Sequence, residues 1–203
     1  MRGIVRWSCW WSLLSIATLV GWAGCSKSSK TAPEAASSGV SEAARKKALS
    51  AKEAMMLELS EKLASAMTQG GPPAAIEVCS QEAPKVADRI SKRFGVRIGR
   101  TSFKLRNPKN APPEWARELV EKKVDEPKFL RLDDGTVAAW FPIRIEGKCM
   151  HCHGPPETLS KEVREQLAKL YPSDQATGFQ IGDLRGWFWV EVPPKTAGSG
   201  DAS

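Results

Sequence analysis

Residues 148–154 read KCMHCHG, and both histidines of the chain, His151 and His153, lie in that string beside Cys149 and Cys152, two of its five cysteines. A chain so poor in these residues that gathers them together points to one local site, and leaves open where the other half of any metal site lies. Cys149-x-x-Cys152-His153 is the C-x-x-C-H pattern of haem c attachment. Two thiols at that spacing reach one edge of a porphyrin and add to its vinyl groups, and the following histidine then lies under the iron as proximal ligand. A zinc site built on the same cysteines needs four ligands, usually with a second Cys/His pair, and the sequence has no second pair. One covalent haem c is the expectation, with Cys149 and Cys152 as attachment points and His153 as ligand.

The N-terminus decides whether that chemistry is available. Arg2 and Arg6 precede WSCWWSLLSIATLVGWAG, an uncharged apolar stretch followed at once by polar residues. This is the layout of an export signal. WAGC, ending at Cys25, resembles a bacterial lipoprotein signal, in which the cysteine is lipidated and becomes the new N-terminus; Trp22 stands where leucine is usual. A plain signal peptide and an uncleaved anchor are the alternatives, and each exports the domain to the side of the membrane where haem c is attached. Residues 1–24 are therefore read as a lipoprotein-like signal peptide. Residues 25–41, rich in Ser, Ala and Lys, form a flexible tether. Residues 42–192 make one domain, and residues 193–203 a tail too polar and small to pack. The expected location is the periplasmic side of a bacterial membrane, held by lipid.

The net charge is +7, and removing Arg2 and Arg6 leaves 28 basic against 23 acidic residues, or +5. Eight of the basic residues and one acid, Asp88, fall between Lys85 and Arg106. Such a run can mark nucleic-acid binding, but export argues against that partner. A solvated basic face is the plain reading. The sharper one is that some of these arginines hold haem propionates through charge-assisted hydrogen bonds.

Periodicity gives the architecture. Leu49, Met56, Leu59, Leu63 and Met67 predict an amphipathic helix over 42–69. GGPP at 70–73 stops it and opens a second helix with the stripe Ile76, Cys79, Ala83, Val86 and Ile90, which Pro84 is expected to bend. Alternation at Val96 and Ile98 slips phase after Gly99, suggesting a bulge. EWARELVEKKV reads as a short helix, and 129–132, the turn DDG and 137–145 as a hairpin. The attachment string follows in a Gly/Pro-bounded loop. Ser160 caps a helix from about Lys161 to Leu170, and GWFWVEV is a last strand with Phe188, Val190 and Val192 on one face. Helices and strands do not alternate as βαβ units, so an α+β fold is expected, an antiparallel sheet with helices at one side.

Counting cysteines frames the second axial ligand. Cys9 leaves with the signal, Cys25 is used at the membrane, and Cys149 and Cys152 hold haem, so Cys79 stands alone. A buried free cysteine is the plain reading. His151 is tethered beside His153 and cannot cross to the far side of the iron. Cys79, a methionine (Met55, Met56 or Met67), a lysine, Tyr171 or an empty position remain open.

AIEVCSQEAP (75–84), GRTSFKLRNPKNAPPEW (99–115), FPIRIEGKCMHCHG (141–154) and the closing aromatic strand occur in that order. From about residue 45 to 192 the chain resembles the haem-containing, PAS-like family with a covalently bound c-type haem. Its members occur as extracytoplasmic input domains of sensor kinases and as stand-alone cyanobacterial c-type cytochromes. The resemblance implies a PAS-like sheet flanked by N-terminal helices, and axial ligation by Cys79 opposite His153. Arg100 is the candidate propionate contact. No transmitter domain is read after residue 192, so any signal is expected to pass to a separate protein.

No Ser/His/Asp set or Gly-rich phosphate loop is present, and a six-coordinate iron offers no open position, so no enzyme is expected. A redox- or gas-responsive sensor module is the leading expectation. A low-potential electron-transfer cytochrome and a lipoprotein interaction module with a structural haem are the alternatives. The partner is a redox protein or a membrane signalling protein.

Overall fold

Ser41 opens the first helix, its hydroxyl accepting from Ala44 N–H at 3.3 Å, and Gly95 closes it in the left-handed region (φ 57°, ψ 52°). Helix α1, Glu42–Phe94, belongs to a computed structural model that describes residues 39–194. The expected signal segment, Cys25, most of the expected tether and the chain beyond 194 lie outside the described residues. Gly71 (φ 67°, ψ −163°) interrupts α1 in a region open essentially to glycine alone. There the chain reverses. Glu58 pairs with Arg89, and Lys62 Nζ lies 3.3 Å from Glu82 Oε2. An unbroken helix would hold residues 58 and 89 about 46 Å apart, so α1 is a hairpin of two antiparallel arms, 42–70 and 72–94. Pro72 and Pro73 fall in the first turn of the second arm, where a missing N–H is harmless. The helix continues through Pro84 without a non-helical residue.

The expected core stripe of the first arm is corrected. Ala48, Ala51, Met55 and Leu59 are buried with Ala83, Val86 and Ile90 of the second arm, whereas Leu49 and Met56 are 38 % and 46 % exposed. The spacing is the same, turned by one position or about 100°. Small alanines favour this face because helix separation is set by the side chains at the contact.

Four strands form one antiparallel sheet in the order β1-β4-β3-β2. β1 is Arg97–Thr101, β2 Lys128–Arg131, β3 Val137–Arg144 and β4 Leu184–Val192. β2 and β3 are the predicted hairpin, turned at Gly135 (φ 81°). One face of the sheet, with Val137, Ala139, Phe141, Phe188, Val190 and Val192, packs on the α1 hairpin. The other carries Trp140 and Trp187, whose rings stack at 4.7 Å and whose Nε1–H groups both donate to Val124 O. The short helix α2, Arg117–Glu121, lies in the segment that covers this face through Trp115, Leu119 and Val120. The expected α+β class, an antiparallel PAS-like sheet with N-terminal helices alongside, is the class the structure has.

Gly99 is not a bulge. It pairs in register with Trp189, and a Cβ there would come 2.5 Å from Trp189 Cζ2. The glycine makes room for an indole. The bulge lies in β4: Ile143 pairs with Gly186 and Arg144 with Leu184, leaving Arg185 unpaired.

Candidate functional site

β3 delivers the chain into a tight turn, Gly147–Cys149, and then helix α3, Met150–His153. The string expected in a loop is thus helical. Helical geometry sets positions i, i+3 and i+4 on one side, so Cys149, Cys152 and His153 share a face while His151 is exposed. Glu146 N–H donates to Cys149 Sγ at 3.4 Å. Cys149 packs beside Ile145, Ala176 and Phe179, and Cys152 against Ile76, Leu159 and Val163. Helix α4, Lys161–Leu170, is capped by Ser160 as predicted and carries Val163 and Leu167 onto the second arm of α1. The three thiols of the described residues, Cys79, Cys149 and Cys152, are free. Burial pushes Cys152 up to about 11, so it remains a thiol at neutral pH.

His153 is aimed by a hydrogen bond. Its Nδ1 lies 2.7 Å from Ala176 O. A carbonyl only accepts, so Nδ1 carries the proton and Nε2 keeps its lone pair, the tautomer a metal-ligating histidine needs. Burial, with Arg106 and Arg185 nearby, holds the ring well below its ordinary pKa, which keeps it neutral. The carbonyl is itself fixed. Arg106 reaches Ala176 O at 3.1 Å, Cys152 O at 2.5 Å and Asp174 Oδ2 at 3.0 Å. Asp174 Oδ1 accepts from Ala176 N–H at 2.7 Å, and Phe179 N–H donates to His153 O at 3.0 Å. Arg106 and Asp174, each 9 % exposed, thereby lock the attachment helix to the 174–179 segment.

A cavity of about 300 Å³ opens in front of His153. Its apolar wall includes Met56, Leu59, Leu63, Ile143 and Phe188, so the exposed stripe of the first arm faces this space. Cys79, Cys149 and Tyr171 also line it, as do Arg100, Arg106, Arg144 and Arg185. Cys149 and His153 on the cavity wall, Cys152 on the same helical face though packed against Ile76, Leu159 and Val163, an apolar wall and a cationic margin suit an amphiphilic macrocycle with carboxylates, and the residues present fit haem c. Among the described residues, no three His, Cys, Asp or Glu side chains are grouped to hold a bare metal ion.

The structure sorts the candidates for a second ligand. Cys79, Met56 and Tyr171 reach the cavity that His153 lines; Met55 is in the core, and Met67 is not on the cavity wall. Burial pushes Tyr171 up to about 12, so its phenol stays protonated. Arg100 lies on the cavity wall, and Cys25 lies outside the described residues. Sequence reasoning missed Asp174, Ala176 and Arg185. Arg106 lay within the basic run without a role of its own. YPSDQATGF (171–179) carries an aspartate in a polar turn, a signal for local hydrogen bonding, but its long-range partners arise only in the fold.

No curated protein matches the chain. A solved structure described as the crystal structure of the cyanobacterial heme-protein Tll0287 is similar over 68 % of this chain and 92 % of its own, with 24 % identity and a TM-score of 0.46. The family model described as Tll0287-like matches residues 34–193. The chain belongs to the Tll0287-like family.

Proposed function

We propose that this protein is an exported mono-haem c-type cytochrome, with haem attached at Cys149 and Cys152 and axial ligands His153 and Cys79, that works as a redox- or gas-responsive module. The observation that carries the reading is the Nδ1–H of His153 committed to Ala176 O, beside two free thiols on the same helical face. Membership of the Tll0287-like family supports haem as the occupant, since the cyanobacterial Tll0287 is a heme-protein. Haem would supply one-electron chemistry at iron.

Cys149 and Cys152 would hold the haem, each thiol adding its S–H across a vinyl double bond to give one S–C and one C–H bond with no electrons exchanged. His153 stays neutral and fixed. Cys79 contributes an anionic sulfur, which favours the ferric form and lowers the potential relative to a His/Met pair. Reduction by a partner protein would remove a positive charge from the metal and weaken its hold on that sulfur, and Cys79 would be the group to take up a proton and leave. Because Cys79 lies on the second arm of α1, its release is felt by the hairpin. Lipid on Cys25 holds the domain at the periplasmic face of a membrane, where a redox or signalling protein reads it. Catalysis is not part of this role.

Expression in a host with a periplasmic haem-attachment system tests the reading. The membrane fraction is expected to hold a protein whose haem survives acid acetone, and Cys25→Ser to release it or leave the precursor uncleaved. Freely extracted haem, or zinc in its place, contradicts the attachment. Unchanged mature mass and fractionation of Cys25→Ser contradict the anchor.

A further inference from the structure

Arg185 is a cation in an unusual position. It is the residue left over at the β3–β4 register shift, and a bulge re-aims the side chain it carries. The following Gly186 (φ 155°) permits this, because a Cβ there would collide with Thr101 O. The guanidinium Nη1 donates to Ser102 Oγ at 2.8 Å and Lys104 O at 3.3 Å, and the group lies 5.5 Å from the Phe179 ring centroid. All these partners are neutral. Nε is sealed from solvent with no hydrogen-bond partner, and so is Thr101 Oγ1. Among the described residues no carboxylate pairs with Arg185 or Arg100. Asp174, the acid that acts on Arg185 through space, is bonded to Arg106. Arg185 is half-buried, a position in which a charge without a counter-charge is unfavourable, and Arg185, Arg100 and Thr101 all line the cavity before His153.

We infer that Arg185, with Arg100 beside it, is the anchor for a carboxylate of the cavity's occupant. With Nη1 held by Ser102 and Lys104 and Nε enclosed, Nη2 is the donor left for a carboxylate oxygen. This rests on the haem reading, under which the carboxylate is a propionate. It moves the anchor from Arg100, the sequence candidate, to a residue that only the bulge brings to the site.

The anchor holds that carboxylate ionised and sets a positive charge near the metal. Beyond the proton that Cys79 takes up on reduction, the wild-type holoprotein therefore shows no further pH dependence of its midpoint potential across the range in which a free carboxyl titrates. In Arg185→Gln the carboxyl takes up a proton within that range. The potential should then be lower than wild type on the alkaline side, and the gap should close as pH falls. Haem content should not change, since Cys149 and Cys152 are untouched. Arg117→Gln, an exposed control, should behave as wild type. If Arg185→Gln gives too little folded protein, Arg185→Lys serves: the charge is kept but the planar guanidinium is lost, so a smaller gap is expected. A haem-loaded Arg185→Gln, or failing that Arg185→Lys, with wild-type potential at every pH overturns the anchor and leaves the haem reading intact. A wild-type chain that carries no haem overturns both.

Discussion

Arg106 and Asp174 show how one buried ion pair can act on another residue's tautomer. Neither touches the cavity's chemistry through the pair itself. Together they place the Ala176 carbonyl that His153 donates to, and Arg106 also ties down the Cys152 carbonyl. Removing one member of a buried pair leaves the other uncompensated, at about 3–5 kcal/mol. Asp174→Ala is therefore expected to lower unfolding stability by about that amount in a urea titration, and to reduce the share of purified protein carrying haem. A loss under about 1 kcal/mol, the range of an exposed pair, would place Asp174 outside any such brace. At this scale the grouping of Cys149, Cys152 and His153 was legible, because C-x-x-C-H is a local pattern. The brace was not, since its members are 68 residues apart in sequence and nothing local distinguishes Arg106 from its seven basic neighbours.

The α1 hairpin is the element that brings Cys79 to His153. The GGPP signal located its turn, and the second-arm stripe was read correctly at Ile76, Ala83, Val86 and Ile90, all buried. The first arm was misread by one position because large apolar residues outrank alanine in a periodicity count, whereas the packed arms select alanine for close approach. Leu59 is in the core as expected, while Met56 and Leu63 were right as an apolar stripe and wrong as to what it covers: they line the cavity. Gly99 illustrates the same limit, since a glycine that opens a bulge and one that admits an indole look alike in sequence. Gly71 is the position on which the reversal turns. Gly71→Ala forces an L-residue into a glycine-only region and should cost about 1–3 kcal/mol, read as a lower urea midpoint. It should also weaken the Cys79-dependent part of the ferric spectrum. An unchanged midpoint would mean that the arms reverse without this backbone conformation.

Across the molecule, the sheet and the hairpin form two walls and the attachment helix closes the space between them. The α+β class and the order of elements followed from sequence period and turn chemistry. The cavity did not, because its wall is drawn from α1, β1, β3, α3 and β4 together. On this arrangement His153 is held by the sheet-side 174–179 segment and Cys79 by the hairpin, so a change at the metal would be divided between two bodies. An electron carrier requires both ligands to stay; a responsive module requires one to leave. The most direct measurement is the absorption spectrum and midpoint potential of the wild-type holoprotein and Cys79→Ala, in both oxidation states, with and without carbon monoxide. The account predicts thiolate ligation in the ferric wild type, carbon monoxide binding once it is reduced, and in Cys79→Ala a retained haem with a raised potential and an open ferric position that takes imidazole. A Cys79→Ala protein with the wild-type ferric spectrum and potential would contradict it, and would leave Cys79 as a wall residue with Met56 as the ligand to test next.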